Sequence, residues 1–275
     1  MKTNELINFG SGFLKDNKIL SSRIDSEILL SHIMGISREK LITREKIIHR
    51  NHIEKFKSLI LRRSKNEPIA YITKNKEFRS TNFFVDRNSL IPRPETELLI
   101  DPIHKIFRNK NLFFLDVGAG SGCITFSIIN ELKHSKGIGI DFSKKALINA
   151  KKNLKKYENR VKLLRKSIDN MRNFKFDLIV SNPPYIIKRE INRLSSDIKN
   201  FEPKIALDGG NDGLDVIRKV IYKSKSILKS NGILALEIGN GQYLSVMKIL
   251  NKNSFKKKLL IKDYKNNVRC IFSTL

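Results

Sequence analysis

Residues 112–123 read LFFLDVGAGSGC, an apolar run broken only by Asp116 and followed by glycine at positions 118, 120 and 122. A short apolar stretch closed by a turn signal is a strand buried on both faces. Glycines directly after it let the chain turn tightly and let a ligand approach the backbone without meeting a Cβ. The spacing is G-x-G-x-G, not the G-x-G-x-x-G of dinucleotide-binding turns. A helix should follow, reaching about Leu132.

Downstream, 136–141 (KGIGID) is expected to be a second strand ending in Asp141, 19 residues past Gly122 (141 − 122). A carboxylate there can accept hydrogen bonds from both ribose hydroxyls of an adenosine ligand. Ser143 is placed to cap a helix reaching Tyr157. Further strands are expected at 161–165, 176–181, 232–238, 255–262 and 267–273. The polar link Asp263 to Asn266 suits an antiparallel hairpin at the sheet edge. This alternation predicts an α/β fold with a mostly parallel, Rossmann-like sheet, helices on both faces and ligands at the C-terminal strand ends.

Upstream, residues 1–75 read as a helical bundle. The apolar stripes are Leu6, Phe9, Phe13 and Leu14; then Ile24, Ile28, Leu29, His32 and Ile33; then Ile53, Phe56, Leu59, Ile60 and Arg63. Ser22 and Asp25 are the expected caps of the second helix, and His32 is expected to be a core or partly buried histidine rather than a ligand. Over 76–94 the period changes: Phe78, Phe83, Val85 and Leu90 among turn residues predict a β-hairpin linker, punctuated by Pro92 and Pro94. Glu95 and Glu97 suit the first turn of a helix. The expected organisation is 1–75, 76–94 and 95–275.

A second motif, Ser181-Asn182-Pro183-Pro184-Tyr185, follows the strand 176–180 (FDLIV). Two prolines in succession lock the backbone and remove N–H donors, leaving carbonyls to accept. Asn182 adds an amide oxygen and Tyr185 a ring and a hydroxyl. The set suits a planar –NH2 group.

Together the motifs resemble S-adenosylmethionine-dependent amino-methyltransferases. The stretches 67–71 (EPIAY), 91–97 (IPRPETE), Phe201-Glu202-Pro203 and 206–214 (ALDGGNDGL) narrow the resemblance to the peptide chain release factor glutamine methyltransferases, and it covers nearly the whole chain. The resemblance implies methylation of the side-chain amide nitrogen (N5) of the glutamine in the Gly-Gly-Gln motif of class-1 release factors. It implies that Gly118, Ala119, Gly120, Ser121 and Gly122 line the methionine part of the cofactor and that Asp141 holds the ribose. Asn182, also beside the cofactor, would hold the substrate glutamine with Pro183, Pro184 and Tyr185; Asn182, Pro183 and Tyr185 are the expected catalytic residues. The family's acidic-aromatic pair near the adenine is replaced here by 166–171 (KSIDNM), with Asp169 offset and Ile168 as the apolar substitute. An adenine-N6 nucleic-acid methyltransferase is the alternative, but the chain lacks a clear inserted base-recognition domain. Arg93 is expected to brace the domain junction rather than contact the partner, Gly209, Gly210 and Gly213 to shape a turn, and Cys123 to pack as a small hydrophobe.

Composition limits the other classes. The chain has 275 residues, 40% of them hydrophobic, and no uncharged apolar run approaches the roughly 20 residues of a membrane span. The N-terminus lacks a signal-peptide apolar region. Two cysteines make neither a disulfide framework nor a zinc ribbon, and the five histidines lack metal-site spacing. A cytoplasmic, metal-free monomer is expected. The net charge is +27 but spread evenly: +8 over residues 1–90 (18 − 10) and +19 over 91–275 (36 − 17). With 38 Ile, 37 Lys and 26 Asn against 6 Ala, it reads either as compositional drift or as attraction to an RNA-rich partner. No sequence-specific nucleic-acid contact is expected.

Overall fold

A computed structural model describes all residues, Met1–Leu275. It contains two compact units, Met1–Asn75 with Ser195–Phe201, and Lys76–Leu194 with Glu202–Leu275. No helix is long and apolar enough to cross a membrane.

The first unit holds α1 (Thr3–Asp16), α2 (Ser22–Met34), α3 (Arg38–Thr43), α4 (Arg50–Ser64) and α5 (Ile69–Thr73). Leu6, Leu14, Leu29, Leu30, Phe56 and Ile60 form its core. Helix α1 comes close to α4 at Gly10, where a Cβ would stand 2.6 Å from the Phe56 ring. Two expectations fail here. Phe9, Phe13 and Ile24 are exposed, and so is His32, which was expected to be core or partly buried. Asp25 does not cap α2: it is buried, accepting from Ser21 Oγ at 2.7 Å and Arg63 Nε at 2.7 Å. Its neighbour Glu27 is likewise turned inward and paired with Arg23 and Arg38. The buried face of α2 therefore includes carboxylates whose partners come partly from other helices, which apolar periodicity does not register.

The second unit opens with the expected hairpin, β1 (Asn75–Phe78) and β2 (Thr81–Phe84), whose Phe78 and Phe83 are buried. A 3-10 turn (Pro94–Leu99) leads into α6 (Ile100–Phe107). Then come β3 (Leu112–Val117), α7 (Cys123–Glu131), β4 (Ser135–Ile140), α8 (Lys144–Leu154), β5 (Val161–Leu164) and β6 (Phe176–Ser181). After α9 (Ser196–Phe201), which belongs to the first unit, follow α10 (Asp215–Ile227), β7 (Leu228–Glu237), α11 (Tyr243–Lys252), β8 (Lys256–Lys262) and β9 (Val268–Thr274). One seven-stranded sheet results, ordered β5-β4-β3-β6-β7-β9-β8. Strands β3 to β7 pair in parallel, while β9 runs antiparallel to both β7 and β8. The fold is the expected Rossmann-like sheet with an antiparallel edge hairpin, covered by apolar layers on both faces.

Candidate active site

Strands β3 and β4 end level, with Val117 opposite Ile140, so the glycine turn and Asp141 emerge side by side. The Gly118 and Ala119 N–H groups donate to the Ile140 carbonyl at 2.9 and 3.0 Å. Gly120 N–H donates to Asp141 Oδ2 at 2.9 Å, and Ser143 N–H donates to Oδ1 at 2.8 Å. Asp141 thus ties the turn to the start of α8, where Ser143 Oγ caps the helix by accepting from Ala146 N–H at 3.1 Å. Burial pushes the Asp141 carboxyl up, against the backbone donors that pull it down. Gly118 has φ +80°, and a Cβ built there would meet nothing within 4 Å, so the backbone is bare toward the space above the strand ends.

Strand β6 lies on the other side of β3, with Ser181 opposite Val117, and Ser181 Oγ donates to the Val117 carbonyl at 2.7 Å. That register delivers Asn182 to the same place. A cavity of about 410 Å³ opens there, lined by Gly118, Gly120, Asp141, Asn182, Pro183 and Pro184, with Ser89, Leu90, Pro203 and Ile205 as further walls. The volume lies in the ordinary range for a cofactor site, about 300–1,000 Å³. The 86–90 segment is held by Asn149, whose Nδ2 donates to Asp86 Oδ1 at 2.7 Å and Ser89 Oγ at 3.1 Å.

Other expected residues sit elsewhere. Ala119 and Ser121 are buried outside the cavity lining, and Gly122 packs on Ala150 and Leu154 of α8. Tyr185 lines a neighbouring cavity of about 570 Å³ instead. Its hydroxyl lies 3.4 Å from Glu237 Oε1 and 3.4 Å from the Arg269 guanidinium, and burial together with the Glu237 charge pushes it up to about 12. Ile168 is buried in the core and is not among the residues lining the cavity, while Asp169 pairs with Lys219 at 2.7 Å. Phe142 and Lys166 line the cavity in their place. An aromatic directly after Asp141 was the available signal for Phe142, which is 58% exposed. Arg93 pairs with buried Glu202, and Cys123 is buried.

Two further residues were missed. Asn182 Nδ2 donates to Thr96 Oγ1 at 2.9 Å, and Thr96 Oγ1 donates to Glu237 Oε2 at 2.6 Å. Thr96 is 2% exposed and Glu237 fully buried. Beneath the glycine turn, Asp116 is also fully buried; its Oδ2 accepts from Thr125, and its Oδ1 has no partner. Burial pushes Asp116 up to about 7 although the Thr125 hydrogen bonds oppose it. A raised carboxyl stabilises the fold below its unfolded value, and that contribution is lost as pH rises through about 7. Thermal melts of Asp116→Asn should therefore gain on the parent between about pH 4 and 8, by on the order of 4 kcal/mol. A pH-independent gap between the two would show that Asp116 titrates normally.

The cradle fits S-adenosylmethionine: a bare glycine backbone, a carboxylate at the second strand end and an aromatic beside it. The description "PrmC N-terminal domain" matches residues 5–73, and "Methyltransferase small domain" matches 94–198. The chain is 39% identical over 258 residues to the release factor glutamine methyltransferase of Clostridium acetobutylicum, covering 90% of each. It is 37% identical over 280 residues to the protein of the same name from Clostridium botulinum, covering 98% of each. Among solved structures, a methyltransferase from Pyrococcus furiosus superposes with a TM-score of 0.53 at 18% identity, covering 79% of this chain and 96% of that one, a likeness of fold.

Proposed function

The chain belongs to the release factor glutamine methyltransferase family, and from that premise we propose that it methylates the N5 amide nitrogen of the glutamine in the Gly-Gly-Gln motif of class-1 peptide chain release factors. The methyl donor is S-adenosylmethionine, leaving S-adenosylhomocysteine; when bound it supplies an electrophilic methyl on a sulfonium whose leaving group is a neutral thioether. The relatives' names do not favour the adenine-N6 alternative.

One observation carries the assignment of roles. Asn182 lies at the cofactor cavity with its –NH2 already engaged by Thr96, which leaves its Oδ1 to accept from outside. An amide nitrogen is a poor nucleophile because its lone pair is delocalised into the carbonyl. Holding its two N–H bonds on Asn182 Oδ1 and the Pro183 carbonyl favours pyramidalisation and aims the lone pair at the methyl. The N–C bond forms as the C–S bond breaks, and the methylated amide nitrogen, strongly acidic while cationic, then loses one N–H proton to solvent. Orientation of this kind can lower a barrier by about 7–11 kcal/mol. Pro183 and Pro184 keep the loop rigid and bring no donor that would compete for the acceptors. Gly118, Gly120 and Asp141 position the cofactor, with Phe142 as the apolar surface for its base; Tyr185 supports the loop from behind. The helical residues 1–75 serve as the substrate-recognition domain, with 76–94 as linker, and the enzyme acts as a cytoplasmic monomer.

Transfer of labelled methyl to purified release factors, followed by peptide mapping, tests the proposal. Label on the Gly-Gly-Gln peptide is expected, and label confined to nucleic acid would overturn it. If the +27 charge assists encounter, added salt should lower kcat/KM for the release factor and leave kcat constant, because steering fades as the Debye length falls to about 8 Å at physiological strength. A flat response assigns the charge to compositional drift.

A further inference from the structure

The reaction described above needs the Asn182 amide to present its oxygen to the substrate, yet an amide side chain has two ends of nearly equal size. Something must select the end. Asn182 Nδ2 meets Thr96 Oγ1 at 2.9 Å, and that oxygen meets Glu237 Oε2 at 2.6 Å. A threonine hydroxyl has one proton to give and lone pairs to receive, and a carboxylate can only receive. With its single proton committed to Glu237, Thr96 has only lone pairs left for Asn182. An Asn182 oxygen turned toward Thr96 would set two acceptors against each other and send an –NH2 toward the incoming –NH2.

We propose that Thr96 and Glu237 are positioning residues, a one-way hydrogen-bond relay that fixes which end of the Asn182 amide faces the substrate. The relay rests on the reading of Asn182 as the substrate's acceptor. Their positions support the role: Asn182 lines the cavity, whereas Thr96 and Glu237 are not among its lining residues and reach it only through Asn182. Both are buried, which shields the relay from water that could otherwise donate to or accept from its members and blur the direction.

Glu237 must be an acceptor for the relay to have a direction. Tyr185 OH lies 3.4 Å from its other oxygen and Arg269 3.9 Å away, with the Glu95 charge also acting on it and Cys270 beside it on β9, opposite in the strand register. Burial pushes Glu237 up to about 7, while Thr96, Arg269 and Tyr185 pull it down. Above that value the carboxylate dictates the direction. Below it, a protonated Glu237 can donate to Thr96, and the direction is no longer enforced.

The test compares Thr96→Val, Thr96→Ser, Glu237→Gln and Asn182→Ala in single-turnover methylation of a release factor, with S-adenosylmethionine affinity and thermal melts measured for each. Thr96→Val should lower the rate at least about tenfold with cofactor affinity unchanged, and Thr96→Ser should restore it. The double variant Thr96→Val with Asn182→Ala should be no slower than Asn182→Ala alone, because the relay acts only through Asn182. Glu237→Gln should remove the fall in rate on the acid side of about pH 7; this variant carries the test if Thr96→Val does not fold. A folded Thr96→Val at full rate beside an impaired Asn182→Ala overturns the relay and leaves Asn182 as acceptor. An Asn182→Ala at full rate overturns the acceptor reading itself. A Glu237→Gln with the parent's rate and acid limb also overturns the relay.

Discussion

Asn182→Ala is expected to slow single-turnover methylation of a release factor by about 100- to 1,000-fold, the range seen when one preorganised polar group is removed from a reacting centre. Asn182 is the one side chain on the Pro-Pro loop that both lines the cavity and has an uncharged acceptor left over. Without it the substrate amide can rotate, and its lone pair loses its aim. Cofactor affinity should change little, since Asp141 and the glycine turn are untouched. From the sequence alone, Asn182→Asp looks milder than Asn182→Ala because an acceptor survives. The Thr96 contact removes that advantage: a carboxylate at 182 would set an acceptor against Thr96 Oγ1, 2.9 Å away in the parent, with buried Glu237 just beyond. The rates of folded variants decide it, and a folded Asn182→Ala at wild-type rate would reduce the loop to scaffold.

Asp141→Ala should weaken S-adenosylmethionine binding by about 1.5–3 kcal/mol, roughly 10- to 150-fold, through loss of charge-assisted hydrogen bonds. The structure adds a second reason. Each Asp141 oxygen also holds a backbone N–H, Gly120 on one and Ser143 on the other, so the glycine turn loses its anchor at the same time. Asp141→Asn separates the two effects: the amide keeps one acceptor and should retain part of the turn while losing the charge. Calorimetry with S-adenosylmethionine measures both variants. Unchanged affinity in Asp141→Ala would place the ribose elsewhere in the cavity, and tighter binding of a nicotinamide dinucleotide by the parent would contradict the cofactor assignment.

The parts of the site readable from the sequence are those written in a few adjacent residues. The apolar run 112–117 with its glycines, Asp141 at a strand end and 182–185 after another strand each carry a local signature, because backbone turning and donor removal are local demands. Thr96 and Glu237 carry none. They stand 86 and 52–141 residues from their partners in the relay and its surroundings, and only the folded sheet joins them. Between Glu95 and Glu97, two charges that suit a helix start, Thr96 gives no sign of being buried. The inner face of α2 was misread for a related reason: Asp25 is inward because Arg63, 38 residues on, comes to meet it. Ile168 was hard to place from the sequence because an apolar residue beside a ligand and one in the core look alike there; in the fold it packs in the core and does not line the cavity.

The sheet order also bears on how the chain is made. Strand β9, latest in chain order, lies inside the sheet between β7 and β8. During synthesis on the ribosome, β7 emerges first and must wait, one edge bare, for some thirty further residues before the strand that covers it exists. Hairpin β8–β9 can form as soon as both strands are out, and it then docks on β7 as a unit through β9. Until then Leu234 and Leu236, fully buried in the finished domain, sit on an open edge able to pair with another nascent chain. The lysines at 256, 257 and 258 fall on β8, the strand left at the finished sheet's edge, where charge discourages that pairing. Protection is therefore built into the mature edge and absent from the transient one, so the interval before β9 appears is when the growing chain most needs a chaperone's cover.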